Sequence, residues 1–251
     1  MDIHLLNRKQ LAALLRIDGI ATADIINDLS SKRVEDFTSI NLSKSCEFDN
    51  YPLAHRHCYD TFFKGADENS LSSELYVQYS FTEQSQDKTV DAEALKRSGA
   101  TVKSRLRRLQ KDNPGYIAES DDTRYTELTA ECPPSVRRLI EEIRSFGDVV
   151  TRVRLAGLAP GHAILPHRDH DPTKLTRIHI PIATNSSCVI ECENSERLDV
   201  STHLEQGGAY LLNTGRRHAA KNDSGEWRVH LLIDIHGQNF LQHYKTSVVV
   251  S

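Results

Sequence analysis

Long hydrophobic runs are absent from this sequence of 251 residues. No uninterrupted apolar stretch approaches the roughly 20 residues that a membrane-spanning helix requires, so no membrane-spanning segment is expected. A basic segment followed by an apolar core, the mark of a secretory signal, is also missing from the first residues. These two absences predict a cytoplasmic protein.

Cysteine is scarce as well, and neither acidic nor basic residues are in large excess. The five cysteines are odd in number and include no C-x-x-C pair, which is typical of reduced thiols and not of a disulfide framework. The spacing of Cys188 and Cys192 raises a zinc site as an alternative, but two packed thiols are the simpler interpretation. A formal net charge of −4 gives no reason to expect membrane or nucleic-acid binding.

Helical patterns dominate the first half of the chain and its middle. Apolar residues at helical spacing predict helical structure over residues 9–34, in two segments separated by a break at Asp18-Gly19 and a new start at Thr22. A second helix is predicted between Pro133-Pro134, a favourable opening, and Gly147, a favourable end. Between them, alternating aromatic and β-branched residues at 75–81 predict a strand.

Two polar segments of this half leave their role open. Residues 91–111 predict a strongly basic helix, which either presents a solvated face or contacts phosphates. We favour the solvated face because the overall charge is acidic. Residues 36–73 are predicted to be irregular, and His55 and His57 within them are interpreted as a loop pair and not as metal ligands.

From Val149 onward the pattern changes to short β-type runs separated by Gly, Pro, Asn and Asp turns. Short strands at regular spacing predict an all-β barrel or jelly roll. The predicted fold is therefore mainly β, with N-terminal and flanking helices. The predicted division is a helical N-terminal region at 1–45 and a β domain at 46–251, whose motif core is 149–237.

A candidate metal motif lies in this β region, at His167-x-Asp169. If residues 163–168 are extended, alternation brings the two side chains to one face, where both can reach a small cation. The best third donor is His218, which follows the apolar run 209–212. Two imidazoles and one carboxylate with open positions are the ligand set of non-haem Fe(II) oxygenases. The alternative for an isolated His-x-Asp is a polar turn.

Two later strands alternate charged and apolar residues. Arg177 and His179 share one face of their strand, and Arg228 and His230 share one face of theirs. Pointed inward, they would bury charge at high cost unless an anion pairs with them, and arginine suits a carboxylate. Pointed outward, they would only be solvated. The nearby metal motif favours an inward arrangement with an anionic co-substrate.

The ordered motifs between Val149 and Gly237 resemble the aspartyl/asparaginyl β-hydroxylase superfamily, and the bacterial L-proline cis-4-hydroxylases in particular. Several motifs in the same order are far more specific than any one of them. The motifs are G161-H-A-I-L-P-H-R-D169, T176-R-I-H-I-P181, His218, Asn222 and R228-V-H-L-L-I-D234. The resemblance implies a double-stranded β-helix fold, related to jelly rolls and cupins, and an Fe(II)- and 2-oxoglutarate-dependent hydroxylase.

The resemblance also implies roles for individual residues. His167, Asp169 and His218 become ligands of Fe(II), and Arg228 becomes the partner of the distal carboxylate of 2-oxoglutarate. His179 matches a co-substrate contact of the family, and Arg177 is a weaker candidate for one. The implied reaction consumes O₂ and 2-oxoglutarate, releases succinate and CO₂, and hydroxylates the substrate; ascorbate can stimulate it.

Several alternatives remain open from the sequence. The expected substrate is an amino acid or an amino-acid-derived small molecule, and the alternative is a peptidyl, protein or carrier-bound residue. A non-catalytic metal- or ligand-binding β-barrel is a further alternative, and nucleic-acid contact through residues 96–111 is another. Arg152 or Arg154 is a candidate for a substrate carboxylate, and Trp227 for packing near the co-substrate. The sequence does not specify an oligomeric state.

Overall fold

The structure is a computed structural model that describes residues 5–32, 38–39, 76–83 and 125–251. The basic helix predicted for 91–111, the pair His55 and His57, and most of the segment 36–73 lie outside these ranges. Neither helix in the described ranges is long and apolar enough to cross a membrane.

Fourteen strands are found within the described ranges. In chain order they are β1 (Leu14–Asp18), β2 (Thr38–Ser39), β3 (Tyr76–Ser80), β4 (Thr82–Glu83), β5 (Glu127–Leu128), β6 (Val149–Leu158), β7 (His162–His167), β8 (Thr176–Ala183), β9 (Cys188–Glu193), β10 (Asp199–His203), β11 (Ala209–Leu212), β12 (His218–Asn222), β13 (Arg228–His236) and β14 (Lys245–Val250). The helices are α1 (Thr22–Leu29), α2 (Pro134–Ser145) and a 3-10 turn at Asn239–Gln242.

Two antiparallel sheets form the core of the fold. The larger sheet has the order β14-β1-β11-β8-β13-β6-β3-β2 within the described residues, and the smaller has the order β10-β9-β12-β7. Strands that are far apart in the chain are neighbours in both sheets, as in a double-stranded β-helix. The predicted mainly β fold with flanking helices is confirmed.

The outer face of the large sheet carries the main hydrophobic core. Ile178 and Ile180 from β8 and Leu231 and Ile233 from β13 are fully buried there, together with side chains of α1 and α2. Alternation along the strands turns the neighbouring residues toward the small sheet, and these include the polar residues Arg177 and His179 of β8 and His230 and Asp234 of β13. The same pattern that builds the core therefore brings polar groups into part of the space between the sheets, next to a smaller apolar cluster that includes Leu14 and Ile190.

Helix α2 follows the sequence prediction closely. It begins at Pro134, whose missing N–H costs nothing in the first turn, and its buried residues include Val136, Leu139, Ile140 and Ile143. Gly147, at φ +89°, follows the helix and donates its N–H to the Arg144 carbonyl. Glycine adopts this left-handed conformation without strain, so it ends the helix.

The helix predicted over residues 9–34 is wrong in its first half. Residues 14–18 form β1, which pairs with β11 and β14, and only α1 is helical. Leu14 is buried toward the small sheet, whereas Leu15 is buried on the helix-covered face. A strand buried on both faces needs adjacent apolar residues, and their spacing also fits a helix. The proposed boundary at residues 45 and 46 lies outside the described ranges and stays a prediction.

Candidate metal centre

The register between β7 and β12 brings the two candidate histidine ligands together. His167, the last residue of β7, is directly opposite His218, the first residue of β12. Opposed residues of antiparallel strands project to one face, and the two imidazole ring centroids are 4.3 Å apart. Asp169 follows β7, and its backbone N–H donates to the Thr214 carbonyl at 2.8 Å. The strand pairing thus assembles all three predicted donors.

The spacing of the donor atoms suits one metal ion. His167 Nε2 lies 3.9 Å from Asp169 Oδ1, and His218 Nε2 lies 3.9 Å from Asp169 Oδ2. One ligand atom from each of the three residues lies within 4.8 Å of the others. A first-row metal binds such donors at about 2.0–2.2 Å, so one ion can contact a pair that is separated by 3.9 Å.

His218 is held in the form that binds metals. Its Nδ1 lies 3.0 Å from the Arg216 carbonyl, so Nδ1–H donates there and Nε2 keeps its lone pair for a metal. Burial, together with the neighbouring His167, lowers the pKa of His218 from 6.5 to about 4. The imidazole is therefore neutral at physiological pH, as a ligand must be.

Asp169 is held as a carboxylate by its surroundings. Burial alone would raise its pKa, but the charge of Arg177 and the nearby His218 and His167 outweigh burial and lower it. Arg177 Nη1 donates to Asp169 Oδ2 at 3.1 Å. A deprotonated, hydrogen-bonded carboxylate is both oriented and charged for a cation.

Arg177 is itself fixed by a buried carboxylate that the sequence analysis did not assign. Asp234 is fully buried and accepts from Arg177 Nε at 2.6 Å and from Arg177 Nη2 at 3.3 Å. Arg154 Nη1 donates to the same Asp234 at 3.1 Å. Burial alone would raise the pKa of Asp234, but the surrounding arginines lower it far below the usual range. The alternation of β13 could have indicated this residue, since Asp234 shares a face with Arg228 and His230.

A second polar group lies further along the same inner face. We call Arg228, His230 and His179 the Arg228 cluster; their exposed fractions are 5%, 2% and 6%, so the solvated alternative is wrong. His179 is two residues from Arg177 on β8, which separates them by about 7 Å. The Nε2 atoms of His179 and His230 are buried, and neither has a hydrogen-bond partner among the described residues.

The remaining candidate residues are two arginines of β6, one tryptophan and two cysteines. Arg154 is bound to Asp234, and Arg152 has φ +47° on a bulge where β6 places two residues against Ile233 of β13. Trp227 packs against the helix-covered core, and its packing near the co-substrate stays a prediction. Cys188 and Cys192 are buried free thiols, as predicted.

Comparison with known proteins shows which family and which solved structures this chain is similar to. The family model described as aspartyl/asparaginyl beta-hydroxylase matches residues 83–237. An oxidoreductase of the 2OG-Fe(II) oxygenase family from Burkholderia pseudomallei has 10% identity and a TM-score of 0.35, covering 65% of this chain and 68% of that chain. A cupin domain from Bordetella pertussis has 24% identity and a TM-score of 0.27, covering 34% and 80%. A predicted oxalate decarboxylase from Thermotoga maritima has 16% identity and a TM-score of 0.27, covering 38% and 71%.

Proposed function

Because the chain belongs to the aspartyl/asparaginyl β-hydroxylase family and is a 2-oxoglutarate-dependent hydroxylase, we propose that it hydroxylates an amino acid or an amino-acid-derived small molecule at an unactivated C–H bond. His167, Asp169 and His218 hold Fe(II) in this proposal. The observation that carries it is the convergence of these three donors at the ends of β7 and β12. When bound, iron supplies the oxidation by O₂ that couples decarboxylation of 2-oxoglutarate to substrate hydroxylation.

The residues around the metal prepare it for this reaction. His218 offers the lone pair of Nε2, because burial keeps its ring neutral and its Nδ1–H donates to the Arg216 carbonyl. Arg177 orients Asp169, and Asp234 with Arg154 fixes Arg177. Three protein donors leave other coordination positions for the co-substrate and O₂.

The Arg228 cluster supports the assignment of a co-substrate anion. A buried guanidinium is suited to a carboxylate by its parallel donors, and the cluster lies on the strands β8 and β13 of the large sheet that also carry Arg177, the partner of Asp169. We assign the distal carboxylate of 2-oxoglutarate to Arg228, with His179 as a further contact. Arg177 is the weaker candidate for a co-substrate contact, since its three guanidinium nitrogens already donate to Asp169 and Asp234.

A free amino acid is the proposed substrate form. The carboxylate ligand Asp169 is the feature that aligns the chain with the bacterial L-proline cis-4-hydroxylases, because the vertebrate-type aspartyl hydroxylases lack it. Arg152 is a candidate for the substrate carboxylate. Its strained φ of +47° lies on a strand bulge, and bulges beside active sites re-aim side chains.

A panel of L-amino acids tests this proposal. The protein is incubated with Fe(II), ascorbate, 2-oxoglutarate and O₂, and succinate and any product heavier by one oxygen atom are measured. The expected result is substrate-dependent succinate release with one or a few free amino acids. Product with peptides or carrier-bound residues alone would replace the proposed substrate class. No substrate-stimulated succinate with any of these would contradict the proposed reaction.

A further inference from the structure

A tight turn between β11 and β12 contacts two of the three metal donors through its backbone. This 213–216 turn is closed by the Arg216 N–H, which donates to the Asn213 carbonyl at 3.0 Å. The Thr214 carbonyl accepts from the backbone N–H of Asp169 at 2.8 Å, and the Arg216 carbonyl accepts from His218 Nδ1 at 3.0 Å. The position of this turn therefore sets the position of both donors.

The side chains at the two ends of the turn bind the same pair of backbone carbonyls. Asn213 Nδ2 donates to the carbonyl of Arg8 at 3.1 Å and to that of Leu11 at 3.0 Å. Arg216 donates from Nε to the Arg8 carbonyl at 3.1 Å and from Nη2 to the Leu11 carbonyl at 3.3 Å. A carbonyl oxygen has two lone pairs, so each one can accept both bonds. Residues 8–11 are therefore bound from both ends of the turn.

The third nitrogen of the Arg216 guanidinium reaches two further parts of the chain. Arg216 Nη1 lies 3.3 Å from the carbonyl of Glu193, at the end of β9, and 3.5 Å from the carbonyl of Ser251. The guanidinium is a rigid planar fork, so binding all three nitrogens leaves the side chain little freedom. The main chain of Arg216, which supplies the acceptor for His218, is restrained with it.

Gly215 allows the turn to pack closely against its neighbours. A Cβ atom at this position would lie 3.0 Å from Pro172 Cδ, 3.1 Å from Arg8 Cβ and 3.1 Å from Asp171 Cα. Such contacts are tighter than ordinary packing, and glycine avoids them because it has no Cβ. The turn thus fits between Arg8 and the residues that follow the donor Asp169.

We propose that Arg216 and Asn213 are positioning residues of the metal centre: by binding residues 8–11, they fix the turn that orients Asp169 and keeps the proton of His218 on Nδ1. This inference rests on the proposed function, because it requires the same three donors. A looser turn would allow the His218 proton to move to Nε2, and a protonated Nε2 cannot bind a metal. The metal affinity therefore depends on a segment that is remote from every donor in the sequence.

Two adjacent arginines provide a matched pair of variants for metal titration. The metal-free protein is titrated by calorimetry with Mn(II), which replaces the oxidisable Fe(II). We expect Arg216→Ala to weaken Mn(II) binding about 10-fold, because the acceptor of His218 loses its restraint. Arg217→Ala removes only an exposed pair with Asp199 and should leave the affinity unchanged. Asn213→Leu, which removes the other donor to residues 8–11, should also weaken binding, and Arg216→Lys should recover part of the loss.

The tautomer of His218 distinguishes positioning from a general effect on the fold. Two-bond ¹H–¹⁵N correlations of the metal-free protein at neutral pH show which ring nitrogen carries the proton. We expect only Nδ1–H in the wild type and in Arg217→Ala, and a mixture of Nδ1–H and Nε2–H in Arg216→Ala. A residue that only stabilises the fold would change the free energy of unfolding in urea and leave the tautomer as it is.

The outcomes separate this inference from the proposed function. If the wild-type protein does not bind Mn(II), the proposed metal centre fails and the inference fails with it. If the wild type binds Mn(II) and Arg216→Ala binds it equally well, with the His218 proton still on Nδ1, only the positioning role is wrong. A lower stability of Arg216→Ala with unchanged affinity and tautomer would overturn the inference in the same way, as would a proton on Nε2 of His218 in the wild type.

Discussion

Arg177 holds Asp169 through a 3.1 Å hydrogen bond from Nη1 to Oδ2, so an arginine of the large sheet orients the carboxylate of the candidate metal centre beside the small sheet. The rest of the Arg177 guanidinium binds Asp234, which also accepts from Arg154. Two carboxylates and two arginines thus form one network, and Asp234 is its fully buried centre. We therefore expect the candidate metal centre to depend on Asp234 and Arg154, which are not among its three donors.

Substitution of Asp234 tests this dependence. Asp234→Asn removes the charge that fixes Arg177, so we expect metal affinity to fall about 10- to 100-fold. The free energy of unfolding should fall by about 3–5 kcal/mol, because buried arginine charges lose their partner. Metal titration by calorimetry and urea unfolding measure the two effects. Asp199→Asn, which breaks an exposed pair with Arg217, should leave both nearly unchanged, and a folded Asp234→Asn with full metal affinity would disprove the dependence.

Removal of either imidazole ligand tests the metal centre itself. His167→Ala and His218→Ala each leave two donors, so we expect metal binding and succinate release to be lost in both variants. Circular dichroism of the metal-free variants checks that the fold persists. His243→Ala, on the exposed surface, is the matched control. Full activity in either ligand variant would refute the assignment.

The stability of the metal-free protein should depend on pH through His218. Its pKa is lowered from 6.5 in the unfolded chain to about 4 in the fold, so between these values the unfolded state binds more protons. The contribution of His218 to the free energy of unfolding is fully present above pH 6.5 and is lost as the pH falls toward 4. At about pH 5 the loss from this residue is about 2 kcal/mol relative to neutral pH.

Urea unfolding of the metal-free protein at neutral pH and at about pH 5 measures this loss. The wild type should lose more than His218→Gln by about 2 kcal/mol, because glutamine has no proton to bind in this range. The same loss of stability in both proteins would show that His218 keeps an ordinary pKa.

The buried strand β1 gives a prediction about the fold. Leu14 is fully buried between the two sheets, so we expect Leu14→Ala to lower the free energy of unfolding by about 2–5 kcal/mol. Leu198→Ala is the control, since Leu198 is 58% exposed and its loss should cost less than about 0.5 kcal/mol. Urea unfolding compares the two variants. An effect on Leu14 no larger than that on Leu198 would contradict the position of β1 in the sheet.

Several features followed from local patterns alone. The alternation of β8 and β13 determined which residues turn inward, and the proline opening and apolar stripe determined α2. His167-x-Asp169 is local in the chain, so its two donors could be predicted together. The pattern failed at β1, because apolar residues at positions 11, 14 and 15 fit one face of a helix as well as both faces of a buried strand.

The amino-acid sequence by itself determined the kinds of donors, their order and the faces of the strands that carry them, because side-chain direction follows from a strand's own period. Only the tertiary structure decided which donors meet. The register of β7 against β12 places His167 opposite His218, and the register of β8 against β13 places Arg177 opposite Asp234. Register between distant strands depends on packing across the whole sheet, so no local pattern contains it.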